Sequence, residues 1–292
     1  MSLELIKKLL EAGVHFGHKA SRWNPKMKKF IFGKRSSIYI IDLERTVECL
    51  NKARDFLFEV TAKGESVLFV GTKKQAQEIV HQEALRCGMF YVVERWPGGL
   101  LTNFTTIKKS ISRMKEIEKM KVDGTYEKLT KKEVSLLEKE LDKLKKNFWG
   151  IAAMDRMPKA LFVVDTKKEE TAVMEANKLS IPVVGLIDTN SDPDDIEYPV
   201  PGNDDATRSI KIIVSLIADS IIEGRQKFLS YLSQEGVAVK ESKADVDAGV
   251  VLPEEEIKIK EIEELVETTE PKEGIAKPAR KAKPVGITRK KE

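Results

Sequence analysis

Cysteine is scarce in this chain: only Cys49 and Cys87 occur among 292 residues. Two cysteines cannot build a disulfide framework or a four-cysteine zinc site, and their number is ordinary for a reducing compartment. We interpret both as small buried hydrophobic residues. Long apolar runs are missing too, since none approaches the roughly 20 residues that span a bilayer, and the first residues lack the plan of a signal peptide. The sequence predicts a cytoplasmic protein with no membrane partner.

Motifs of nucleotide-dependent and nucleophilic catalysis are also absent. The chain contains neither Gly-x-x-x-x-Gly-Lys-Ser/Thr nor Gly-x-Gly-x-x-Gly, the usual phosphate-binding loops of α/β enzymes. It has no Gly-x-Ser-x-Gly elbow, and its only histidines are His15, His18 and His81, so triad chemistry is not expected. These absences argue against the usual nucleotide-dependent and triad enzymes, and we expect no cofactor, with a divalent metal as the one exception.

Positive charge is concentrated at the N-terminus. The whole chain has 51 Lys and Arg against 47 Asp and Glu, a net charge of +4. Residues 1–40 alone hold nine basic and two acidic residues, a net charge of +7. Because this local excess is larger than that of the whole chain, the first forty residues are the place to look for a polyanionic partner.

Within that region, residues 18–35 interleave aromatic side chains with cations. Lys and Arg neutralise phosphates, while an aromatic ring packs on an unstacked base or on the protein itself. The predicted RNA contacts here are Lys19, Arg22, Trp23, Lys26, Lys28, Lys29 and Arg35, with Phe30 as a second aromatic candidate. The alternative is an unusually basic solvated loop.

Short apolar runs alternate with helical patterns along most of the chain. Runs rich in β-branched residues predict buried strands at 38–41, 66–70, 90–93, 160–164 and 182–187. Helical patterns occupy 43–62 and 74–86, and a long helix begins near Asn203 or Asp204, either of which can cap it, and continues to about Leu229. The sequence therefore predicts an α/β fold with a parallel sheet of about five strands, covered on both faces.

One connection in this alternation is unusually long, because nearly seventy residues separate the run at 90 from the run at 160. Two amphipathic helical patterns fill it, and Thr130 followed by Glu133 has the signature of a capping box that opens the second helix. We predict an α-helical coiled-coil hairpin over residues 105–152 that protrudes from the sheet. A hairpin folded flat onto the core is the alternative.

These patterns divide the chain into three parts. Residues 1–36 form a basic RNA-binding segment, 37–235 an α/β domain interrupted by the hairpin, and 236–292 a charged tail. The tail has an acidic stretch at 254–270 and a basic one at 275–292, with too few hydrophobic residues to fold alone, so we expect it to be largely disordered. It either contacts nucleic acid or remains solvated with its two blocks attracting one another.

Three further cations are weaker candidates for RNA contacts. Lys73 and Lys74 follow Gly71 where a strand passes into a helix, a geometry that suits a phosphate but equally a simple turn. Arg95 begins the sequence RWPGGLLTN, whose two glycines permit a tight turn at the mouth of the sheet.

A metal site is suggested by His15 and His18, which lie three residues apart. If that segment is helical, both face one side and bind a divalent metal together with Asp188 or Asp204. Hydrogen-bonded packing of the two histidines is the alternative. Aspartates also cluster after the last strands, where open α/β sheets bind ligands but where Asp with Pro and Asn equally builds turns. They are Asp165, Asp188, Asp192, Asp194 and Asp195.

Several blocks of sequence, in one order, resemble the bacterial small-subunit ribosomal protein S2 family. They include LEAGVHFGH at 10–18, WNPKM at 23–27, FIFG at 30–33, VGTKKQA within 69–76, RWPGGLLTN at 95–103 and PVVGLIDTN at 182–190. The resemblance extends from about Leu5 to about Leu229. Many separate blocks make it more specific than any single motif.

The resemblance implies a flavodoxin-like three-layer fold with a protruding helical hairpin, and a structural role without catalysis. It implies that the protein binds small-subunit ribosomal RNA between the head and body of the particle and joins late in assembly. It also implies contacts with neighbouring ribosomal proteins, including docking of the large RNA-binding ribosomal protein S1 where the organism has one, which supports messenger-RNA recruitment in translation. The expected location is the ribosome in the cytoplasm.

Two other classes of function compete with this interpretation. A small-molecule enzyme would hold a phosphate at 71–74 near Asp188 and would bind a nucleotide or flavin saturably. A coiled-coil adaptor would use its sheet only as a platform, so deletion of 106–148 would abolish partner binding and spare RNA binding. Neither explains the family resemblance.

Overall fold

Strands and helices alternate along residues 2–234, the part of the chain that this computed structural model describes. The strands are β1 (Phe16–Lys19), β2 (Ile31–Arg35), β3 (Ile38–Ile41), β4 (Val67–Val70), β5 (Phe90–Val92), β6 (Ala160–Val164), β7 (Val183–Ile187) and β8 (Tyr198–Pro201). The α-helices are α1 (Ser2–Glu11), α2 (Leu43–Ala62), α3 (Lys74–Cys87), α4 (Phe104–Val122), α5 (Lys131–Phe148), α6 (Glu170–Lys178) and α7 (Thr207–Gln234). The predicted tail, 236–292, lies outside the described residues.

A five-stranded parallel sheet is the centre of the fold, with strand order β5-β4-β6-β7-β8. Strands β4, β6 and β7 are buried along their whole length, as continuous apolar runs predict for strands covered on both faces. One hydrophobic cluster lies between the sheet and α2, α3 and α7, and a second lies beneath α6 and the start of α4. The predicted three-layer α/β architecture is confirmed.

The identity of one strand was predicted wrongly. The run at 38–41 does not join the parallel sheet but forms the centre of a separate antiparallel sheet, with order β1-β3-β2. The fifth parallel strand is instead β8, whose Pro199 and Pro201 make its sequence untypical of a strand. Because β8 lies at the edge of the sheet, a missing amide there removes no central ladder bond.

Two helices have the boundaries that their sequences predict, within one residue. The Asp42 side chain accepts a hydrogen bond from the Glu44 amide and caps α2. Helix α3 ends at Gly88, which adopts a left-handed φ of +66°. Helix α7 begins later than expected, because Asn203 Oδ1 accepts hydrogen bonds from the amides of Asp205 and Ala206 and forms a turn ahead of the helix.

Helices α4 and α5 form the predicted hairpin. Arg113 contacts Glu140 and Lys145 contacts Glu118, so the two helices lie against each other. The Thr130 and Glu133 capping box opens α5 as predicted. Away from the sheet the hairpin has a small hydrophobic cluster of its own, formed by Met114, Ile117 and Leu141. This separate packing favours a hairpin that leaves the main core; a strict coiled coil stays a prediction.

Hydrophobic helices long enough to cross a bilayer do not occur within residues 2–234.

Candidate functional site

The basic segment is folded and docked on the parallel sheet. Its residues 16–35 form β1 and β2 with two 3-10 turns, Ala20–Arg22 and Pro25–Phe30, and both strands pair with β3. The His18 amide donates to Thr189 Oγ1 at 2.9 Å, and the Asn24 amide donates to the Thr189 carbonyl at 2.8 Å. Met27 and Phe30 are buried in the core beneath α6 and α4. The cations of this segment are therefore carried on an ordered surface and not on a solvated loop.

Residues 16–35 carry seven cations and no acidic residue. All seven side chains are exposed. Within residues 2–234, ion pairs engage two of them, Lys26 and Lys29. The other five make no ion pair in that part of the chain, and we call them the basic sheet surface: Lys19, Arg22, Lys28, Lys34 and Arg35.

Lys26 differs from its neighbours because it faces the acidic loop after β7. Its Nζ lies 2.7 Å from Asp192 Oδ2 and 3.0 Å from Asp194 Oδ2. Hydrogen bonds to these carboxylates raise the pKa of Lys26 above its ordinary value. Lys29 Nζ lies 4.0 Å from Asp194 Oδ1. The two predicted RNA contacts are thus partly neutralised by the protein itself.

The aromatic residues of the segment are also placed unevenly. Trp23 is half-buried against Tyr39, with ring centroids 4.8 Å apart, and Phe30 is only 7% exposed. Phe32 is 81% exposed and lies on β2 two residues before Lys34. Sequence reasoning did not single out Phe32. The available signal was the alternation of exposed and half-buried residues in a strand, which becomes visible only once 31–35 is known to be one.

Lys73 lies inside a group of carboxylates at the carboxyl edge of the parallel sheet. Its Nζ is 2.8 Å from Asp204 Oδ1, 2.6 Å from Asp205 Oδ1 and 3.3 Å from Asp165 Oδ2, and its side chain is 13% exposed. Burial opposes its charge, but hydrogen bonds to Asp204 and Asp205 raise the pKa of Lys73. Carboxylates of the protein itself therefore engage the charge of Lys73, which disfavours the predicted phosphate contact; that contact stays a prediction. Lys74 is exposed.

A buried carboxylate organises the loop after Arg95. Glu175 on α6 accepts hydrogen bonds from Trp96 Nε1 at 3.1 Å, from the Thr102 hydroxyl, and from the backbone amides of Gly99, Leu101 and Thr102. Burial alone would raise the pKa of Glu175, but these donors lower it below its ordinary value. Nothing in the loop's own sequence points to Glu175, which lies more than seventy residues away.

Arg95 is exposed and lines a cleft between this loop and α5. Three lysines of α5 share the cleft, together with the carboxylates of Glu94 and Asp142; the lysines are Lys139, Lys143 and Lys146. The cleft therefore has a small excess of positive charge.

The predicted metal ligands are only partly brought together. His18, Asp188, Asp204 and Asp205 each offer one ligand atom, all within 4.8 Å of one another. His15 is not in this group; its ring packs on Phe16 with centroids 4.0 Å apart, and burial lowers its pKa. The structure thus keeps three of the four predicted residues and adds Asp205, which sequence reasoning missed.

The neighbouring carboxylates raise the pKa values of two members of this group, His18 and Asp204. His18 Nδ1 lies 2.8 Å from Asp188 Oδ2, and this contact raises the pKa of His18. Burial, together with the charges of Asp165 and Asp188, raises the pKa of Asp204 to about 7. The contact between His18 and Asp188 joins β1 to the end of β7, so the two sheets meet at this cluster.

Comparison with known proteins gives the family. Residues 9–224 match the family described as Ribosomal protein S2. The small ribosomal subunit protein uS2 of Geotalea uraniireducens (strain Rf4) is 57% identical over 226 residues, covering 77% of this chain and 88% of that relative. The matched range includes both sheets, the hairpin and every site residue described above. This chain belongs to the ribosomal protein S2 family.

Proposed function

We propose that this chain, a structural constituent of the small ribosomal subunit and not an enzyme, binds small-subunit ribosomal RNA through the basic sheet surface. The observation that carries the proposal is the set of five exposed cations without an ion pair among the described residues, on a segment with no acidic side chain. Such contacts position a protein on RNA without reading its sequence.

The energetics of this surface favour RNA. Each cation that meets a phosphate releases condensed counterions, which makes binding favourable at low salt and steeply dependent on salt concentration. The surface is held in place by the hydrogen bonds of His18 and Asn24 to Thr189, so little backbone order has to be acquired on binding. Exposed Phe32 next to Lys34 adds a ring on which an unstacked base can pack.

The proposed contacts differ from the predicted set in several members. Four predicted residues are retained in full: Lys19, Arg22, Lys28 and Arg35. Lys34 and Phe32 are added. Lys26 and Lys29 contribute less because Asp192 and Asp194 share their charge, and Trp23 supports the surface by packing on Tyr39.

Lys74 and Arg95 remain proposed peripheral contacts at the carboxyl edge of the parallel sheet. Both are exposed, and Arg95 shares its cleft with three lysines of α5. This cleft favours a second phosphate contact at the base of the hairpin.

The finer placement in the particle is proposed on the family resemblance. We propose that the chain lies between the head and body of the small subunit in the cytoplasm, joins late, and helps to dock ribosomal protein S1 for messenger-RNA recruitment. The charged outer faces of α4 and α5 offer a surface for neighbouring proteins. Small subunits prepared with and without the chain should differ in retained S1; equal retention would contradict the docking role.

The rRNA-binding role is tested by incorporation into small subunits that lack the chain. The full-length variant Lys28→Ala/Lys34→Ala/Arg35→Ala should incorporate about tenfold less well than wild type at moderate salt, because three phosphate contacts are lost. The control Lys63→Ala/Lys159→Ala/Lys178→Ala removes three exposed lysines near the opposite edge of the parallel sheet and should behave as wild type. Equal loss in both variants, or in neither, would contradict the proposal.

A further inference from the structure

The cleft at the base of the hairpin lies between the loop after β5 and one side of α5. It has a volume of about 380 Å³ and is lined mostly by charged side chains: the cations Arg95, Lys139, Lys143 and Lys146, and the carboxylates of Glu94 and Asp142. Within residues 2–234, the ion pairs of α5 engage Glu140 and Lys145 and none of these cations. The cleft therefore offers positive charge to a ligand from outside the chain.

The three lysines form a row along α5. They lie at positions i, i+4 and i+7, which share one face of a helix, and they extend over roughly 10 Å of the helix axis at 1.5 Å per residue. A row of this length can meet about two or three successive phosphates of one nucleic-acid strand. The volume of the cleft is too small for a double helix, so an extended single strand is the form of nucleic acid that fits.

Both walls of the cleft are fixed by contacts within the protein. On the loop side, Glu175 accepts hydrogen bonds from the amides of Gly99 at 2.8 Å and Leu101 at 3.0 Å. On the hairpin side, Lys145 Nζ lies 2.7 Å from Glu118 Oε1, a contact that ties α5 to α4. The cations are therefore carried on backbone that is already ordered, which lowers the entropic cost of binding a ligand.

Gly98 lies in the same loop, three residues after Arg95. Its turn is closed by a hydrogen bond from the Leu100 amide to the Pro97 carbonyl at 3.1 Å, and the left-handed residue of the turn is Gly99, with a φ of +82°. Gly98 is exposed, and an added Cβ would meet no atom of residues 2–234 within 4 Å. Glycine that is required neither by its φ nor by a close neighbour is typical of a place where a ligand approaches the backbone.

We propose that this cleft, together with the backbone at Gly98, binds a single-stranded segment of small-subunit ribosomal RNA. The cations meet the phosphates, while the carboxylates of Glu94 and Asp142 accept hydrogen bonds from ribose 2′-hydroxyls or base amino groups. An acidic protein segment offers few such donors and is repelled by the two carboxylates, so the mixed charge of the cleft favours RNA. The proposal rests on the RNA-binding role proposed for the chain and adds to the basic sheet surface a second site that is selective for single strands.

Binding of a short single-stranded RNA, and of a duplex of the same sequence, to the full-length chain tests the cleft. The cleft variant Arg95→Ala/Lys143→Ala/Lys146→Ala should weaken single-strand binding by about tenfold at moderate salt, because phosphate contacts are lost. Duplex binding should stay at the wild-type level, because a duplex does not enter the cleft.

The matched control is Lys109→Ala/Lys115→Ala/Lys119→Ala, which removes three exposed lysines from α4 of the same hairpin. It should bind both RNAs as wild type does. A loss in this control equal to that in the cleft variant, or an equal loss for single strand and duplex in the cleft variant, would overturn the proposal.

The variant Lys28→Ala/Lys34→Ala/Arg35→Ala separates the two sites, since it leaves the cleft intact and should weaken the binding of both RNAs. If this variant is weakened but the cleft variant binds the single strand as wild type does, the cleft proposal fails and the basic sheet surface stands. If wild type binds neither RNA, the proposed function fails as well.

Gly98→Leu tests the approach of RNA to the backbone. It should weaken single-strand binding by about tenfold, because the added side chain clashes with the strand, and should leave the Tm unchanged, because the side chain has open space in the protein. Asn51→Leu, at an exposed position of α2, is the control for added bulk and should change neither. If Gly98→Leu lowers the Tm, Gly98→Ala decides. Unchanged binding would remove Gly98 from the site.

A poly-glutamate peptide tests the other class of partner. It should compete weakly with the single-stranded RNA for wild type. Competition at concentrations as low as those of the RNA itself, lost in the cleft variant, would assign the cleft to an acidic protein segment and overturn the proposal.

Discussion

The basic sheet surface and the carboxyl edge of the parallel sheet both carry lysines, yet the fold uses them in opposite ways. At the carboxyl edge, Lys73 is enclosed by Asp165, Asp204 and Asp205. On the basic sheet surface, Lys28 and Lys34 are exposed and make no ion pair with any residue in 2–234. The difference shows that a lysine can be predicted to contact RNA only when the carboxylates that it meets in the folded chain are known.

Two lysines that are close in the sequence can differ in whether a carboxylate of the folded chain engages them. Lys26 contacts Asp192 and Asp194, but Lys28, two residues later in the same 3-10 turn, does not. The partners of Lys26 are more than 160 residues away along the chain. Only the tertiary fold decides which of the two remains available to a phosphate.

The largest effect expected from this comparison is on stability. Lys73→Ala should lower the free energy of unfolding by about 3 kcal/mol, because it leaves buried carboxylates without their cation. Lys74→Ala, one residue away and exposed, should change it by no more than about 0.5 kcal/mol. Urea denaturation of both full-length variants in metal-free buffer measures the difference; equal stabilities would mean that Lys73 is not held as described.

The next largest effect on stability is expected at Glu175. The hydrogen-bond donors to its carboxylate are neutral groups and not a cation. Glu175→Gln should cost about 2 kcal/mol at pH 7, because charge-assisted hydrogen bonds to the loop are weakened. The folded pKa of Glu175 is lowered. Its contribution is therefore fully present above the unfolded pKa, near about 4.3, and is lost as the pH falls through the lower folded pKa.

The check is chemical denaturation of wild type and Glu175→Gln across this pH range. The difference in free energy of unfolding should be largest near pH 7 and should shrink below pH 4. A difference that is independent of pH would show that the carboxylate charge does not hold the loop. Asp195→Asn serves as a control for removing an exposed carboxylate.

Phe32 and Trp23 extend the comparison to aromatic residues. Phe32→Ala should weaken RNA binding by about 1 to 2 kcal/mol if a base stacks on the ring and should leave the Tm unchanged, because the ring is exposed. Trp23→Ala should instead lower the Tm, since the indole packs on Tyr39. Filter binding and thermal denaturation separate the two; a Tm loss in Phe32→Ala without a binding loss would reverse the assignment.

The smallest expected effect concerns Lys26. Asp192→Asn/Asp194→Asn removes the carboxylates that engage it. The slope of log affinity for RNA against log salt should then steepen by up to the amount that about one added phosphate contact gives. Adding Lys26→Ala to that variant should cancel the gain. If the gain persists without Lys26, the carboxylates act on RNA through general repulsion and not through this lysine.

Local patterns in the sequence were sufficient to predict the layers of the fold. The apolar runs of β4, β6 and β7 and the capping box at Thr130 are local signals, and the S2-family resemblance agrees with them. Strand β8 could not be predicted because its two prolines are untypical of a strand. Strand β3 was assigned to the wrong sheet because an apolar run does not show which strands it pairs with.

The site was harder to predict than the fold, because its members are assembled from distant elements. Asp205 joins His18 only because α7 begins beside β1, and Glu175 reaches a loop from another helix. Likewise, the seven cations at 16–35 were visible as a charge excess, but which of them form ion pairs within residues 2–234 depends on Asp192 and Asp194. The sequence shows which residues are charged, but it does not show which of them form ion pairs in the folded chain.

The central claim is that the basic sheet surface, whose cations make no ion pair within residues 2–234, binds ribosomal RNA, and that the lysines of the chain in general do not. The most direct measurement is the salt dependence of small-subunit RNA binding by the full-length chain. Lys28→Ala/Lys34→Ala/Arg35→Ala should reduce the slope of log affinity against log salt by about 2 to 3, whereas Lys63→Ala/Lys159→Ala/Lys178→Ala should leave it unchanged. An unchanged slope in the first variant, or an equal reduction in the second, would contradict the account.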